Sequence, residues 1–342
     1  MDKKYPAVDI MKFVCSFLVI VVHTSPLLPY SYLGNFILIN IIGRIVVPFF
    51  FISTAFFVRR NTIKRGNLYF KKYIIALIQL YLFWSLIYLP IGIQWIQANF
   101  HLPWYLYPVA LLVALFYIGT YFHLWYIPAL IFSLVIIHFL AKHFSFKVLF
   151  IISFGLLCIG ALETYYGVIS NQILLKIIDN YMKFFVTTRN GFFFGLFYVT
   201  CGYYLAKDQV FSNFKYNGSL SIVFAIALVI EAFSLYKTNS INFNFLIMAA
   251  PFTFFFFQYL RTIDVPWKFN YQKIREYTNL YYFTHAMFLV LIPFILSLFD
   301  QKALFDQYGF VRFFSVLIGT HIISTLIYHF KNSRLGKMFR FI

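Results

Sequence analysis

Charged side chains are scarce in this sequence, and acidic ones are the scarcest. Only 11% of the 342 residues are charged, Asp and Glu together number 10, and 62% of the residues are hydrophobic. A soluble domain carries about a quarter charged residues, so this chain lacks the polar surface that water requires. Its apolar runs are long and continuous rather than alternating, which predicts an all-α, polytopic membrane helix bundle.

Cysteine clusters and the common catalytic motifs are also missing. The three cysteines, Cys15, Cys158 and Cys201, each lie alone inside an apolar run, without CxxC spacing. The 8 histidines are dispersed, and no Gly-rich phosphate loop, GxSxG or HExxH sequence occurs. These absences argue against a metal site and against a bound cofactor.

The net charge of +18 is high enough to suggest a nucleic-acid partner. The basic residues instead lie in short clusters between apolar runs, a pattern that indicates membrane topology, so we predict a lipid bilayer and no nucleic acid. The N-terminal stretch has the look of a signal peptide, but Asp9 and Lys12 interrupt it and no small-residue cleavage site follows. We therefore expect it to be retained as the first span.

Ten spans are predicted from the apolar runs: 8–29, 36–57, 72–93, 124–141, 148–167, 190–206, 218–236, 243–260, 277–299 and 310–330. One further stretch, 104–120, is ambiguous. If this stretch does not cross the membrane, the cytoplasmic segments carry 21 Lys and Arg and the outer segments carry 6. If it crosses, the two counts become 15 and 12. The positive-inside rule favours the first arrangement, with both chain ends in the cytoplasm and 104–120 re-entrant or interfacial.

Four polar residues of the first span, Asp9, Lys12, Ser16 and His23, fall within a 60° stripe at 100° per residue. Lys12 and His23 lie roughly 16 Å apart along the helix. We expect the stripe to face a polar cavity that connects a cytoplasmic lysine with an outer histidine. Each residue also has a structural alternative: a snorkelling lysine, an aspartate at a helix N-terminus and an interfacial histidine.

Further candidates lie along the later spans. An arginine inside a span needs an anion, carbonyl groups or water, which applies to Arg44, unless it braces two helices. The outer positions His123, Trp125, Arg189 and Asn190, and the intramembrane His285, are also candidates, although an aromatic belt or ordinary packing accounts for such residues equally well.

The densest basic cluster is predicted on the cytoplasmic side and consists of Arg59, Arg60, Lys64, Arg65, Lys71 and Lys72. Its positive charge suits a phosphorylated cytoplasmic ligand. Topology and attraction to anionic lipids would produce the same cluster.

These motifs together resemble the acyltransferase-3 family of membrane acyltransferases. That family has Arg or Lys, ten residues and then His in its first span, as Lys12 and His23 do here. Residues 48–53 (PFFFIS), 123–126 (HLWY), 189–195 (RNGFFFG) and 282–285 (YFTH) are similar to its later motifs, in order. Residues 23–26 (HTSP) and 188–191 (TRNG) look most like the membrane half of vancomycin-resistance serine racemases.

The resemblance implies a multi-pass enzyme of the cell membrane that moves an acyl group, usually acetyl from acetyl-CoA, to an extracytoplasmic hydroxyl. The acceptor would be a cell-wall or surface glycan. The resemblance assigns catalysis to His23, together with Lys12 and Asp9. Substrate binding falls to Arg44, His123, Trp125, Arg189, Asn190 and His285, and acyl-CoA binding to Arg59, Arg60, Arg65, Lys71 and Lys72.

We expect a single transmembrane domain over residues 1–342, without the soluble racemase domain and hence without racemase activity. A transporter of a small solute such as serine also needs a polar path through the bilayer, and a membrane sensor or scaffold is a third class. Binding of acetyl-CoA would separate the enzyme from the other two.

Overall fold

A computed structural model describes residues 4–99, 103–207 and 216–331. Within these ranges the backbone is mostly helical and contains no strand, which confirms the predicted all-α bundle. The α-helices are α1 (Pro6–Thr24), α2 (Tyr32–Phe36), α3 (Val46–Arg65), α4 (Asn67–Asn99), α5 (Tyr107–Val113), α6 (Tyr126–Leu140), α7 (Phe146–Tyr165), α8 (Gln172–Phe185), α9 (Leu196–Leu205), α10 (Asn217–Leu235), α11 (Ala249–Leu260), α12 (Tyr271–Ser297), α13 (Lys302–Gln307) and α14 (Gly309–Phe330).

Seven helical stretches of the described chain are long and apolar enough to cross a membrane. They are Pro6–Thr24, Tyr32–Arg65, Asn67–Gln97, Phe146–Val168, Asn217–Leu235, Tyr271–Ser297 and Gly309–Phe330. The predicted spans 124–141 and 190–206 correspond to two shorter apolar helices, Tyr126–Leu140 and Gly191–Leu205. The number of crossings and the side on which each chain end lies remain predictions.

The predicted span 243–260 is helical only from Ala249. The backbone ahead of it is held by side chains instead: Glu231 accepts hydrogen bonds from the N–H groups of Ile247 (2.6 Å) and Met248 (2.8 Å), and Thr164 accepts one from Phe245 (3.0 Å). Non-helical backbone at membrane depth is tolerated where protein groups satisfy it. A half-buried carboxylate thus holds the backbone where hydropathy predicted the first helical turns.

The ambiguous stretch 104–120 forms short helical pieces, which run from a 3₁₀ turn at Trp104–Leu106 through α5 to a π-helical turn at Ala114–Ile118. The hydroxyl of Tyr81 on α4 donates to the carbonyl oxygens of Ala114 (3.3 Å) and Leu115 (2.9 Å). The apolar helix Tyr107–Ile118 falls among the shorter ones. Whether the stretch is re-entrant or interfacial is still a prediction.

Helix α8 occupies a segment that the sequence analysis treated as an outer loop. Asn171 caps it, since its Oδ1 accepts from the N–H groups of Ile173 (2.9 Å) and Leu174 (3.1 Å). Its mix of apolar and charged residues is typical of a helix that lies along the membrane surface. Hydropathy alone therefore missed it.

The chain forms two compact units. The first comprises residues 1–50, 217–221 and 255–342, and the second comprises residues 51–216 and 222–254. In the first unit α1, α12 and α14 pack on one another, around a core that includes Ile20, Tyr281 and Val316. In the second unit α6, α7 and α9 pack together with the π-helical turn Gly191–Gly195.

Candidate active site

His23 lies in the last turn of α1, and the chain fixes that turn firmly. Ser25 adopts a left-handed conformation with φ 47° and its N–H donates to the carbonyl of Val21 (3.0 Å). The hydroxyl of Thr24 donates back to the carbonyl of Ile20 (2.8 Å). A left-handed C-cap of this kind satisfies carbonyls that the helix end leaves open, so the backbone on both sides of His23 is held.

Arg312 secures the same helix end from α14. Its Nε donates to the carbonyl oxygen of Thr24 at 2.6 Å. A cation at a helix C-terminus is favoured by the helix dipole. In the sequence Arg312 is one of the 6 outer basic residues, and nothing there predicts this contact.

The ring of His23 stacks on that of His285, with centroids 5.4 Å apart and planes inclined by 17°. His285 is fully buried in α12, and its Nδ1 lies 3.0 Å from the carbonyl oxygen of Tyr281. A carbonyl can only accept, so Nδ1 carries the hydrogen, and Nε2 of the neutral ring holds the lone pair. The two histidines that the sequence placed in the first and ninth predicted spans are therefore neighbours.

At the other end of α1 the carboxylate of Asp9 forms an ion pair with Arg275, with Nε and Oδ2 3.3 Å apart. Asp9 is nearly buried, whereas the Arg275 side chain is 56% exposed. Lys12 lies close enough for its charge to act on both groups. Asp9, Lys12 and Arg275 thus form one charged group at this end of the helix, and the catalytic role of Asp9 and Lys12 stays a prediction.

Arg275 joins this group because α12 starts earlier than predicted. The side chain of Asn270 accepts a hydrogen bond from the N–H of Lys273 (3.0 Å) and caps the helix. Helix α12 therefore begins at Tyr271 rather than at residue 277, and Arg275 lies within its first turns.

The polar cavity expected along the stripe of Asp9, Lys12, Ser16 and His23 is interrupted. Ser16, which lies between Lys12 and His23, is fully buried, and its hydroxyl donates to the carbonyl of Phe13 in its own helix (2.7 Å). Helix α12 packs against α1, and Ser16 itself has no accessible surface. The stripe faces protein rather than lipid, but it does not line one continuous channel in this conformation.

Arg44 lies where the second apolar helix departs from regular geometry. A π-helical turn, Ile37–Ile42, is followed by a 3₁₀ turn, Gly43–Ile45, and Nη2 of Arg44 donates to Oδ1 of Asn40 (2.9 Å). A Cβ on Gly43 would approach Cγ2 of Val22, the residue before His23, to 2.4 Å. π-Helical turns are frequent at functional sites, and this one meets α1 beside its histidine.

In the second unit, the candidate substrate-binding residues Arg189 and Trp125 are in contact, and their role stays a prediction. The guanidinium carbon lies 4.8 Å from the centre of the Trp125 ring, and Nη1 donates to Oδ1 of Asn244 (3.4 Å). Burial lowers the pKa of Arg189, and the nearby Glu163 carboxylate partly offsets that effect. Glu163 accepts hydrogen bonds from the Thr188 N–H (3.1 Å) and from Asn244 Nδ2 (2.8 Å).

Asn190 caps the helix that follows it. Its Oδ1 accepts from the N–H groups of Phe192 (2.9 Å) and Phe193 (3.0 Å), and its Nδ2 donates to the hydroxyl of Tyr117 (3.0 Å). Both ends of the side chain are therefore engaged within the protein. The structure gives Asn190 a capping position, and its substrate-binding role stays a prediction.

His123 is buried in an aromatic cluster. Its ring lies 4.8 Å from that of Tyr88, 5.4 Å from that of Phe122 and 5.7 Å from that of Tyr121, edge-on in each case. This is the packing alternative that the sequence left open, and substrate contact by His123 stays a prediction.

The basic cluster spans α3 and α4. Arg65, Lys71 and Lys72 are exposed. Arg59 is half-buried and lies over the ring of Tyr203, 5.5 Å from its centre. The exposed members are available to a dissolved anion, whereas Arg59 is partly shielded by an aromatic face.

Among the residues that the structure describes, no three His, Cys, Asp or Glu side chains come together as a metal site. The prediction that the protein holds neither metal nor cofactor is not tested by this observation.

A family profile described as an acyltransferase domain matches residues 5–329. The chain belongs to this family. The match covers almost the whole helical bundle, including both histidines and the basic cluster, and agrees with the resemblance found in the sequence. The chain therefore carries a membrane acyltransferase domain.

Curated relatives of this acyltransferase are longer proteins. The chain is 30% identical over 251 residues to an amino-acid racemase of Enterococcus faecalis, a match that covers 70% of this chain and 34% of the relative. It is 25% identical over 260 residues to a serine/alanine racemase of Enterococcus gallinarum, covering 74% and 36% respectively. The chain thus corresponds to about a third of each relative's length. No solved structure matches it.

Proposed function

We propose that this acyltransferase moves an acyl group, acetyl in the first instance, from cytoplasmic acyl-CoA to a hydroxyl of an extracytoplasmic acceptor such as a cell-wall or surface glycan. The observation that carries the proposal is the contact of His23 with His285 at the firmly held end of α1. An imidazole held at a fixed place beside a second, buried imidazole is suited to proton transfer.

In the proposed step, His23 accepts the proton of the acceptor hydroxyl while the hydroxyl oxygen attacks the thioester carbonyl carbon. The new C–O bond forms, the C–S bond breaks, and the leaving CoA thiolate takes up the proton from the His23 imidazolium. The products are an ester and free CoA, and both histidines return to their starting state. General base catalysis of this kind contributes about 10² to 10⁴ in rate.

The buried His285 supports this role by its fixed orientation. Because Nδ1 of its ring donates to the Tyr281 carbonyl, the ring cannot turn without losing that bond. Its flat face therefore stays parallel to the His23 ring, which restricts the orientation of the proposed base. Restricting a catalytic group in this way removes part of the entropic barrier to reaction.

The donor side of the proposal is supported by charge. The exposed cations of the basic cluster suit the phosphates of CoA, because ammonium and guanidinium groups form charge-assisted hydrogen bonds with phosphate oxygens. Arg275, Asp9 and Lys12 supply a second charged group, at the end of α1 opposite to His23. The buried Ser16 means that an acyl-pantetheine arm does not pass between Lys12 and His23 unless α1 and α12 separate.

Reconstituted protein tests the proposal directly. Vesicles containing the protein receive radiolabelled acetyl-CoA, and labelled ester and free thiol are both measured with a muramyl glycan acceptor. We expect the two products in equal amounts, and loss of both in His23→Ala. His143→Ala, which alters an exposed histidine, is the matched control and retains activity. Turnover by His23→Ala at the normal rate would contradict the assignment.

One relative is a serine/alanine racemase, which makes serine a second probe, because serine carries both a hydroxyl and a carboxylate. Labelled serine is offered to the same vesicles with and without acetyl-CoA. Formation of O-acetylserine supports the enzyme with an amino-acid acceptor. Accumulation of unmodified serine inside the vesicles without acetyl-CoA, together with no ester formation, supports the transporter instead.

A further inference from the structure

Arg189 is a half-buried cation, and its direct contacts with other described residues are neutral. Its Nη1 donates to the amide oxygen of Asn244, and its face lies on Trp125. Its Nε is buried and has no hydrogen-bond partner among the described residues. A guanidinium stays charged in proteins and leaves water only where an anion or acceptor oxygens replace the lost hydration.

The carboxylate of Glu163, whose charge acts on this guanidinium, forms no direct ion pair with it among the contacts of the described residues. Glu163 is fully buried, and its two oxygens accept from the backbone N–H of Thr188 and from the side-chain amide of Asn244. Arginine and carboxylate side chains that pair directly often do so through two parallel hydrogen bonds. Here Asn244 lies between the two charges, with its NH₂ on Glu163 and its oxygen on Arg189.

This arrangement holds Arg189 in place and leaves the Nε of its guanidinium without a hydrogen-bond partner among the described residues. Asn244 occupies Nη1 and the Trp125 ring covers one face, so the side-on edge that includes Nε keeps its donors. Two parallel N–H groups on that edge match the two oxygens of a carboxylate. Because the Glu163 charge opposes the arginine charge nearby, a singly charged carboxylate suits the site better than a doubly charged phosphate.

We infer that Arg189 binds a carboxylate of the acyl acceptor, and that Glu163, acting through Asn244, is a positioning residue for it. The inference rests on the proposed function, because the bound molecule is an acceptor only if the protein transfers acyl groups. Arg189 then identifies that acceptor as an acidic molecule. An acidic sugar and an amino acid both carry the required group, and the experiment distinguishes them.

The fluorescence of Trp125 reports on the site, because an anion that binds the stacked guanidinium changes the surroundings of the indole. Purified full-length protein is titrated with N-acetylmuramic acid and with N-acetylglucosamine, which lacks the lactyl carboxylate. Serine and serinamide form a second pair. We expect a saturable change with the acidic member of at least one pair and none with its neutral partner. Trp125→Phe, which removes the reporter, should abolish the signal.

Variants test the two named roles. Arg189→Gln should weaken carboxylate binding roughly 10- to 100-fold, the range for loss of a charged hydrogen bond. Glu163→Gln and Asn244→Ala should weaken it about 10-fold, while the neutral probes remain unaffected. Lys183→Gln, an exposed charge in α8, is the matched control and should bind normally.

Turnover assays separate positioning from folding. Glu163→Gln should raise the acceptor KM while kcat and the acyl-CoA KM stay near their normal values, whereas a damaged fold lowers kcat and changes both KM values. Equal responses to acidic and neutral probes, or unchanged binding in Arg189→Gln, would overturn the inference. The titration needs no acyl-CoA. A carboxylate-dependent signal without any acyl transfer would therefore contradict the proposed function and still support the carboxylate site at Arg189.

Discussion

His23 and His285 lie face to face with their ring centroids 5.4 Å apart, although 262 residues separate them in the chain, as their numbers show. The contact needs a flat ring at both positions, and the hydrogen bond to Tyr281 needs a nitrogen only at residue 285. His285→Phe therefore keeps the stack and removes the nitrogen.

We expect His285→Phe to fold normally and to lower kcat about 5- to 10-fold, the effect of one hydrogen bond on the orientation of the base. His285→Ala also leaves a cavity in the core and should reduce both activity and thermal stability. Turnover assays and thermal unfolding in detergent measure the two effects. An unaltered kcat in His285→Phe would show that the nitrogen has no part in catalysis.

The ion pair of Asp9 with Arg275 leads to a prediction about coupling. Because Arg275 is half-exposed, solvent screens the pair, and we expect a coupling free energy of about 0.5–1 kcal/mol. A double-mutant cycle with Asp9→Asn and Arg275→Gln, read by thermal unfolding, measures it. The exposed pair of Lys302 with Asp306 serves as the comparison and should show a smaller coupling. A zero coupling for the first pair would contradict the geometry.

The cost of burying polar groups explains what the sequence analysis found. His23, Lys12 and Asp9 stood out because polar residues seldom share one narrow face of an apolar helix. The same reasoning noted His285 but could not place it beside His23, since the register between α1 and α12 depends on side-chain packing. Periodicity also could not show that Ser16 is closed off by that packing.

The contact partners that the sequence did not predict share one feature, which is that they come from distant parts of the chain. Arg275 and Arg312 lie in segments that were counted as topology charges, and nothing in their local sequence indicates an ionic or capping contact with α1. Glu163 was noticed as a rare intramembrane carboxylate, but its link to Arg189 runs through Asn244, 81 residues further along the chain. Such contacts arise from tertiary structure, and a single sequence does not encode them in a readable pattern.

The close approach of Gly43 to Val22 gives a test of helix spacing. An alanine at 43 would place its Cβ 2.4 Å from Cγ2 of Val22, and overpacking of this kind costs about 1–3 kcal/mol. We expect Gly43→Ala to lower both thermal stability and the transfer rate, because it pushes the second helix away from the turn that holds His23.

Val22→Ala removes the methyl group responsible for the clash and should restore part of both properties to Gly43→Ala. Gly155→Ala is the control, since a Cβ there meets nothing within 4 Å and an alanine suits the helix better. If the double variant were no better than Gly43→Ala alone, the clash with Val22 would not be the cause.

The hydrogen bond from Arg312 to the Thr24 carbonyl predicts that a substitution in α14 affects the end of α1. Arg312→Gln removes the cation that satisfies the end of α1, and we expect a stability loss of about 1–2 kcal/mol together with a lower kcat. Ser315→Ala alters a hydroxyl that donates to the Arg312 carbonyl within α14 and should leave kcat unchanged. The hypothesis fails if both variants have the same turnover as the unmodified protein.

The exposed cations Arg65, Lys71 and Lys72 predict how the donor responds to salt. If they attract the phosphates of acyl-CoA, the acyl-CoA KM should rise with ionic strength, because exposed charges are screened within about 10 Å at 0.1 M salt. Replacing all three with Gln should raise that KM at low salt and flatten its salt dependence, with each charge worth about 2- to 3-fold. Lys147→Gln, an exposed charge outside the cluster, should keep the normal dependence. A triple variant with an unchanged KM and salt profile would leave these cations as topology signals only, because a phosphate site made of them cannot lose its charge without a loss of affinity.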